Sequence, residues 1–286
     1  MPLKMFDSKK KAAPLSSIKN IVAIAAGKGG VGKSTVTVNL ALALQRSGYS
    51  VGIMDTDIYG PSIRKMLPED ILPGQNGEIL IPAICQGIKM ISMAYFRKEN
   101  EAAAVRAPIA NGIIIQFIKT VQWGELDFLL IDFPPGTGDI QLTLAQQANL
   151  NGAILVTTPQ EVALLDVRKA ANLFSQVKVP VIGIVENMSY YQKDADSEKV
   201  YLFGQGGGER LAQEMKVSLL GSIPVDSAIS RCGDEGKSLF SESEYSSGGV
   251  QAFFDLAKTF LKQMVSDKER SSNELGSFEI IWKEMP

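Results

Sequence analysis

The stretch Gly27-Lys28-Gly29-Gly30-Val31-Gly32-Lys33-Ser34-Thr35 carries the spacing G-x-x-x-x-G-K-[ST]. Residue types in this order can hold a phosphate chain. Glycines let the backbone curl so that successive N–H groups point at one anion. Lys33 is placed to contact β- and γ-phosphate oxygens, and the Ser34 hydroxyl to ligate Mg²⁺. Lys28 is a further lysine inside the turn, poorly placed to fold back onto the phosphates that Lys33 holds. Two uses stand open for it. It is either a solvated side chain, or it reaches across a two-fold axis to a partner subunit's nucleotide and stabilises the transferring phosphoryl group, as an arginine finger does.

Acids recur where the chemistry needs them. Met54-Asp55-Thr56-Asp57 closes a short apolar run. Carboxylates at the C-terminal end of a strand face the ligand crevice of an open α/β sheet. Asp57 could position an attacking water or bind Mg²⁺ through water, and Asp55 could orient the loop. Turn formation ahead of Gly60-Pro61-Ser62 is the plainer use, and it suits Asp55 better than Asp57. Residues 128–132 (FLLID) are apolar and end in one acid, Asp132, placed to hold Mg²⁺ through a water. Pro134-Pro135-Gly136-Thr137-Gly138-Asp139 follows. Two prolines and two glycines make a stiff loop with hinge points, able to sense a γ-phosphate, with Asp139 as a helix cap.

A base pocket has fainter signals. The N-K-x-D stretch that commonly reads guanine is missing. Asn187, just past an apolar strand, offers a carboxamide for an adenine edge, or else serves as a turn residue before Met188-Ser189. Pro224-Val225-Asp226 follows the next strand and is expected to form the other wall. ATP is therefore expected rather than GTP.

These residues need a frame. The chain has 286 residues, 45% apolar and 21% charged, with a formal charge of −2. A sizeable core can form, and no global basic field points to nucleic acid or an anionic membrane. Histidine is absent, which excludes imidazole bases and imidazole metal ligands. Only Cys85 and Cys232 carry thiols, so a disulfide framework is excluded. The N-terminal stretch has no apolar h-region, and a reducing cytoplasm is the expected compartment. Apolar strands are expected at residues 21–26, 51–54, 79–81, 88–93 (these two joined near Gly87), 128–131, 153–157, 181–185 and 219–223. Helical spacing occupies 33–47, 109–121, 141–149, 162–177, 209–215 and 250–265. Continuous apolar strands alternating with helices predict a three-layer α/β domain with a mostly parallel central sheet and helices on both faces. The expected organisation is a flexible lead at 1–18 with a small cluster at Lys9, Lys10 and Lys11, one domain at 19–265, and a polar linker with a short tail at 266–286. The apolar patch 278–282 (FEIIW) reads as an edge strand or docked tail.

Lys28 within GKGGVGKST resembles the deviant Walker A P-loop NTPases, the group of MinD/ParA ATPases. Within that group, DTDIYGPS (55–62), WGELDFLLIDFPPGTGD (123–139), TTPQEVALLDV (157–167), ENMSYY (186–191), FGQGGGERLA (203–212) and IPVD (223–226) resemble the Mrp/ApbC iron–sulfur cluster carrier proteins, in order, over about residues 15–245. The resemblance implies an ATP-hydrolysing homodimer whose Lys28 reaches across the dimer face, with Asp57 positioning water, Asp132 as the Walker B acid and Asn187 at the adenine. It implies delivery of clusters to apo iron–sulfur proteins, or work with their assembly factors. It also implies an iron–sulfur cluster held by a C-x-x-C just after the NMSY segment. This chain departs there, reading YYQKDADSEKVYLF between 190 and 203 with no thiol. A [4Fe–4S] cluster takes four thiolates. Cys85 reads as a buried apolar residue, while Cys232, in the polar-looking ISRCGDEG, reads as the better thiol candidate. Ala107 also stands where such proteins usually show Gly. The rival reading is a nucleotide-switched positioning ATPase of the MinD/ParA type without a cluster. The closing SFEIIWKEMP is too mixed in charge for a basic membrane helix, so no membrane partner is expected.

Overall fold

The nearly unbroken apolar run within residues 18–25 fixes where β1 must lie. Val22 and Ile24 enter one apolar layer, and Ile21, Ala23 and Ala25 enter the other. A strand buried on both faces can only be central. The computed structural model describes residues 15–57, 60, 62–96, 107–194, 196–241 and 247–276. The Lys9–Lys11 cluster, Arg106 and the 278–282 patch lie outside the described residues, as does the side chain of Ala107.

The elements run β1 (Ile18–Ala25), α1 (Lys33–Arg46), β2 (Val51–Asp55), α2 (Ile63–Met66), β3 (Gly74–Asn76), β4 (Ile79–Ile81), β5 (Ala83–Cys85) and β6 (Ile88–Ser92). Then follow α3 (Ala107–Thr120), β7 (Leu126–Asp132), α4 (Asp139–Gln147), β8 (Gly152–Thr157), α5 (Glu161–Gln176) and β9 (Val181–Glu186). The chain continues through α6 (Gly207–Met215), β10 (Ser218–Ser222), α7 (Ser227–Glu235) and α8 (Gly248–Gly276).

One eight-stranded sheet has the order β10-β9-β8-β1-β7-β2-β6-β5. Its pairings are parallel except β5 with β6 at the edge. Helices α1, α7 and α8 cover one face, and α3, α4, α5 and α6 the other. This is the expected three-layer architecture. All parallel strands end at one rim, and β1 lies between β7 and β8, so the crevice opens beside the turn that follows β1.

Three details differ from expectation. The turn at Gly87 joins β6 to β5, not to β4, because Pro82 interrupts the apolar run and β4 pairs instead with β3. Gln86 (φ 49°) and Gly87 (φ 81°) both sit in the left-handed region that a two-residue hairpin of this hand requires. Residues 229–236 (ISRCGDEG), read as a polar segment, fall almost wholly within α7, which starts behind an Asp226 cap. Residues 266–276, expected as a linker, continue α8 to Gly276; they hold no proline and several helix-forming charged residues. Among the described residues no helix is long and apolar enough to cross a membrane.

Candidate functional site

The turn between β1 and α1 lies at the crevice rim. Gly30 (φ 83°) and Gly32 (φ 80°) adopt left-handed backbone, and Gly32 is the residue from which α1 starts at Lys33. Gly29 and Gly30 face open space, whereas Gly27 and Gly32 are close approaches. A Cβ on Gly27 would lie 2.1 Å from the Asp166 carbonyl carbon in α5, and one on Gly32 would lie 2.1 Å from Asn187 Nδ2. Val31 is buried in the core, so the loop is pinned at its middle. Lys28 is half-buried. The helix start adds its positive dipole end to the ring of N–H groups.

Asp132, at the tip of β7, gathers three side chains of α1. Lys33 Nζ lies 2.6 Å from Asp132 Oδ2, and the Ser34 hydroxyl donates to the same oxygen at 2.7 Å. Thr37 Oγ1 donates to Oδ1 at 2.6 Å. Both Asp132 and Lys33 are buried. The phosphate-type loop and the acid-tipped strand, separated by about a hundred residues of sequence, are thus one constellation. Thr35 turns away, its hydroxyl 3.8 Å from Met66 Sδ in α2.

The neighbouring tip belongs to β2. Asp55 pairs in register with Asp132 and is buried, and it accepts from Ser92 Oγ at 2.7 Å and from the Asp57 N–H at 3.2 Å. Burial, followed by the charge of Asp132, pushes its carboxyl up to about 7, against the pull of Ser92. Thr56 donates through both N–H and hydroxyl to the Asp132 carbonyl, stitching the two tips together. Asp57 is half-buried, and its Oδ1 accepts from the Gly60 N–H at 3.1 Å. After Phe133, the Gln141 carboxamide in α4 donates to the carbonyls of Pro134 (3.3 Å) and Pro135 (2.7 Å) and anchors the proline loop.

Asn187 closes the other side. Its Nδ2 donates to the Val31 carbonyl at 2.9 Å, and its own N–H donates to Thr157 O at 2.8 Å. Pro224 is buried in the chain leaving β10. Asp226, expected at the wall of a base pocket, has its side chain engaged locally. Its carboxylate is consumed by the Ala228 N–H (2.8 Å), Ser247 Oγ (2.6 Å) and the Gly249 N–H (2.9 Å), joining the starts of α7 and α8. Burial works against its ionisation, but these donors and Arg231 prevail and hold it below the ordinary carboxylate range.

The thiols are placed elsewhere. Cys85 is fully buried, with its Sγ 4.0 Å from the Tyr95 hydroxyl. Burial foremost pushes its thiol up to about 12 despite that contact, which leaves no thiolate at neutral pH. Cys232 is also buried, one helical turn from Ala228 on the inward side of α7, which corrects its reading as the more available thiol. The segment after Asn187-Met188-Ser189 is instead closed by an antiparallel bridge between Tyr191 and Val200. Lys199 Nζ stands 4.0 Å over the Tyr190 ring, and Tyr191, Val200, Leu202 and Phe203 are 38–54% exposed. Among the described residues no cluster of three or more Cys, Asp or Glu side chains could hold a metal ion.

Thr37, Ser92, Gln141 and Glu186 escaped the sequence reading. Thr37 alone had a local signal, since it lies one helical turn beyond Ser34 on the same face. The remaining three meet their partners only through the fold.

Residues 17–261 match the family described as ParA, NUBPL iron-transfer P-loop NTPase. An iron-sulfur cluster carrier protein of Synechocystis sp. is 45% identical over 250 residues, covering 85% of this chain and 70% of that protein. The Fe-S cluster assembly factor HCF101, chloroplastic, of Arabidopsis thaliana is 45% identical over 225 residues, covering 78% of this chain but only 42% of that protein. Among solved structures, a nucleotide-binding protein in complex with ADP from Archaeoglobus fulgidus is 40% identical with TM-score 0.71, covering 84% of this chain and 93% of that one. The cell division ATPase MinD of Pyrococcus furiosus, 24% identical with TM-score 0.59 over 85% of this chain and 99% of that one, shares the fold. With its loop, its acid tip and its whole α/β domain matched, the chain belongs to the NUBPL iron-transfer P-loop NTPases of the ParA group.

Proposed function

We propose that the protein is a slow, Mg²⁺-dependent ATPase that works in iron–sulfur cluster assembly, serving apo iron–sulfur proteins or their assembly factors. The carrying observation is the convergence of Lys33, Ser34 and Thr37 on Asp132 directly behind the glycine turn. In this reading the N–H groups of 27–34 cradle the phosphates, with Thr35 extending the motif into α1. Lys33 moves its charge onto the β- and γ-phosphate oxygens. Ser34 and Asp132 supply oxygen donors of the kind Mg²⁺ prefers, with Asp57 and Asp132 holding its waters. Bound there, Mg²⁺ would offset charge developing on the phosphoryl oxygens. Asp57 orients the attacking water. Asn187 and Pro224 take the adenine, the Asn187 carboxamide oxygen remaining as an acceptor while Nδ2 serves Val31. Lys28, on the open side of the turn, completes a second subunit's site in a homodimer. Two buried thiols suit a reducing compartment such as the cytoplasm.

Phosphate release tests the enzyme. Asp57→Asn is expected to lower the rate by about 10²-fold or more while ATP still binds, because water activation is lost and phosphate contacts are not. Equal rates for the two proteins would refute the assignment.

The thiol set does not fit a cluster held in the manner of the family's C-x-x-C, so the role that fits this chain is assistance with assembly. Anaerobic incubation with iron and sulfide is expected to give no more bound iron per dimer than the Cys85→Ser/Cys232→Ser control. Four irons per dimer, lost in that control, would restore a thiol-bound cargo.

A further inference from the structure

Glu186 ends β9 at the crevice rim, next to Asn187, and is buried. Nothing in the proposed hydrolysis uses it. Its Oε1 accepts from the Ser189 hydroxyl at 2.6 Å, and its Oε2 from the Gly208 N–H at 2.5 Å. Gly208 belongs to the first turn of α6, whose own start, Gly206 in left-handed backbone, supplies no side-chain cap. Glu186 therefore caps α6 from a neighbouring strand, where a carboxylate also meets the positive end of the helix.

Two glycines exist to permit this. A Cβ on Gly208 would lie 2.8 Å from Glu186 Cβ and 3.0 Å from Oε2, and one on Gly207 would lie 2.4 Å from the Pro159 carbonyl oxygen. The chain leaves the core immediately after Ser189 and re-enters it at Gly207-Gly208. One carboxylate thus grips both ends of the 190–206 excursion. The same short stretch is bonded on every side. Glu186 O accepts from the Ile223 N–H, Ser189 N–H donates to Ile223 O, and Asn187 reaches Thr157 and Val31. Met188 between them is held at φ 53°, a strained value for a non-glycine residue.

We propose that Glu186 is a positioning residue: it holds Asn187 against the phosphate-loop carbonyl of Val31 and sets the stance of the 190–206 excursion, so that occupancy of the loop is transmitted to the excursion. The proposal rests on the reading of 27–34 as a nucleotide loop. Transmission needs an element whose arrangement both ends share. The path Val31–Asn187–Glu186–Gly208 is that element here, and Glu186 joins it to α6 by a side-chain hydrogen bond.

Hydrogen exchange with and without Mg²⁺ and a non-hydrolysable ATP analogue tests it, together with steady-state ATP hydrolysis. In the wild type the analogue is expected to slow exchange at 27–34 and also at 190–206. Glu186→Ala keeps the slowing at 27–34 and loses it at 190–206, with KM for ATP raised about tenfold and kcat within about twofold, as expected when only uniform binding is lost. Glu186→Gln restores both, since its oxygen can accept from Gly208 and its amide can donate to Ser189 Oγ. Ser189→Ala, which removes one of the two grips and spares the helix cap, weakens the response at 190–206 even if Glu186→Ala does not fold. Slowing at 27–34 with none at 190–206 in the wild type overturns the transmission alone. So does a full response in Ser189→Ala, or a Gln variant that behaves as Ala. No slowing at 27–34 in the wild type overturns the nucleotide reading itself, and the transmission falls with it.

Discussion

Asp132→Ala is expected to destabilise the fold by about 3–5 kcal/mol, because it strands the buried Lys33 ammonium without its partner. The Ser34 hydroxyl loses its acceptor in the same step, and the Thr37 hydroxyl is left with the Lys33 carbonyl at 3.0 Å. Asp132→Asn retains the shape and one acceptor oxygen, so its cost is expected at about 1–3 kcal/mol. Both variants are expected to lose Mg²⁺-dependent hydrolysis by about 10²-fold or more. The comparison that separates charge from packing is the double variant Lys33→Met/Asp132→Asn. With no uncompensated charge left inside, it should unfold at higher urea than Asp132→Ala while remaining inactive. If Asp132→Ala unfolded at the wild-type urea concentration, the ion pair would not be holding the rim together.

The second large effect lies one strand away. Asp55 holds its proton up to about pH 7 in the fold, chiefly through burial and then through Asp132, against an ordinary 3.8. A carboxyl raised in this way favours the fold below the unfolded value. That contribution is then lost as pH climbs through the folded value. Stability should therefore fall between about pH 4 and pH 7, by at most about 4 kcal/mol from this group, at about 1.36 kcal/mol per tenfold change in proton affinity. Asp55→Asn carries no titrating proton. Its amide can still donate to Ser92 Oγ, and its oxygen can still accept from the Asp57 N–H. The variant is expected to gain on the wild type at pH 8 and to show no gain at pH 4. Urea midpoints at the two pH values decide this. Parallel profiles for the two proteins would show that Asp55 is not the group responsible.

What could be read from the chain follows from range. The glycine turn was legible because its purpose is local, with glycine conformations and a helix start within nine residues. Layering was legible because strands buried on both faces write themselves as unbroken apolar runs. Asp132 stood out as the single acid at the end of such a run. The partners of these residues did not stand out. Thr37 returns to an acid 95 positions away, and Glu186 meets Gly208, 22 positions further along the chain. Gln141 holds two proline carbonyls that carry no sequence mark of needing a donor. Asp226 is a different lesson. Asp followed by Ser227, Ala228 and a closing Gly236 is a helix-start pattern. The position beyond a strand drew attention to the crevice instead, although the side chain was spent on local capping. The polar look of ISRCGDEG (229–236) concealed the inward-facing Cys232, because a helix as short as α7 shows barely two turns of its period.

The central place of β1 between β7 and β8 has a consequence for biogenesis. Ile18 pairs with Leu126, and Val22 with Gly152, so β1, once it has left the ribosome, must wait for more than a hundred further residues before either neighbour exists. Contacts of such long sequence separation form late and slowly. Until then an almost wholly apolar segment, with the glycine turn attached, has both edges unpaired. The emerging chain is therefore expected to rely on chaperone shielding from the synthesis of β1 until β8 has cleared the exit tunnel.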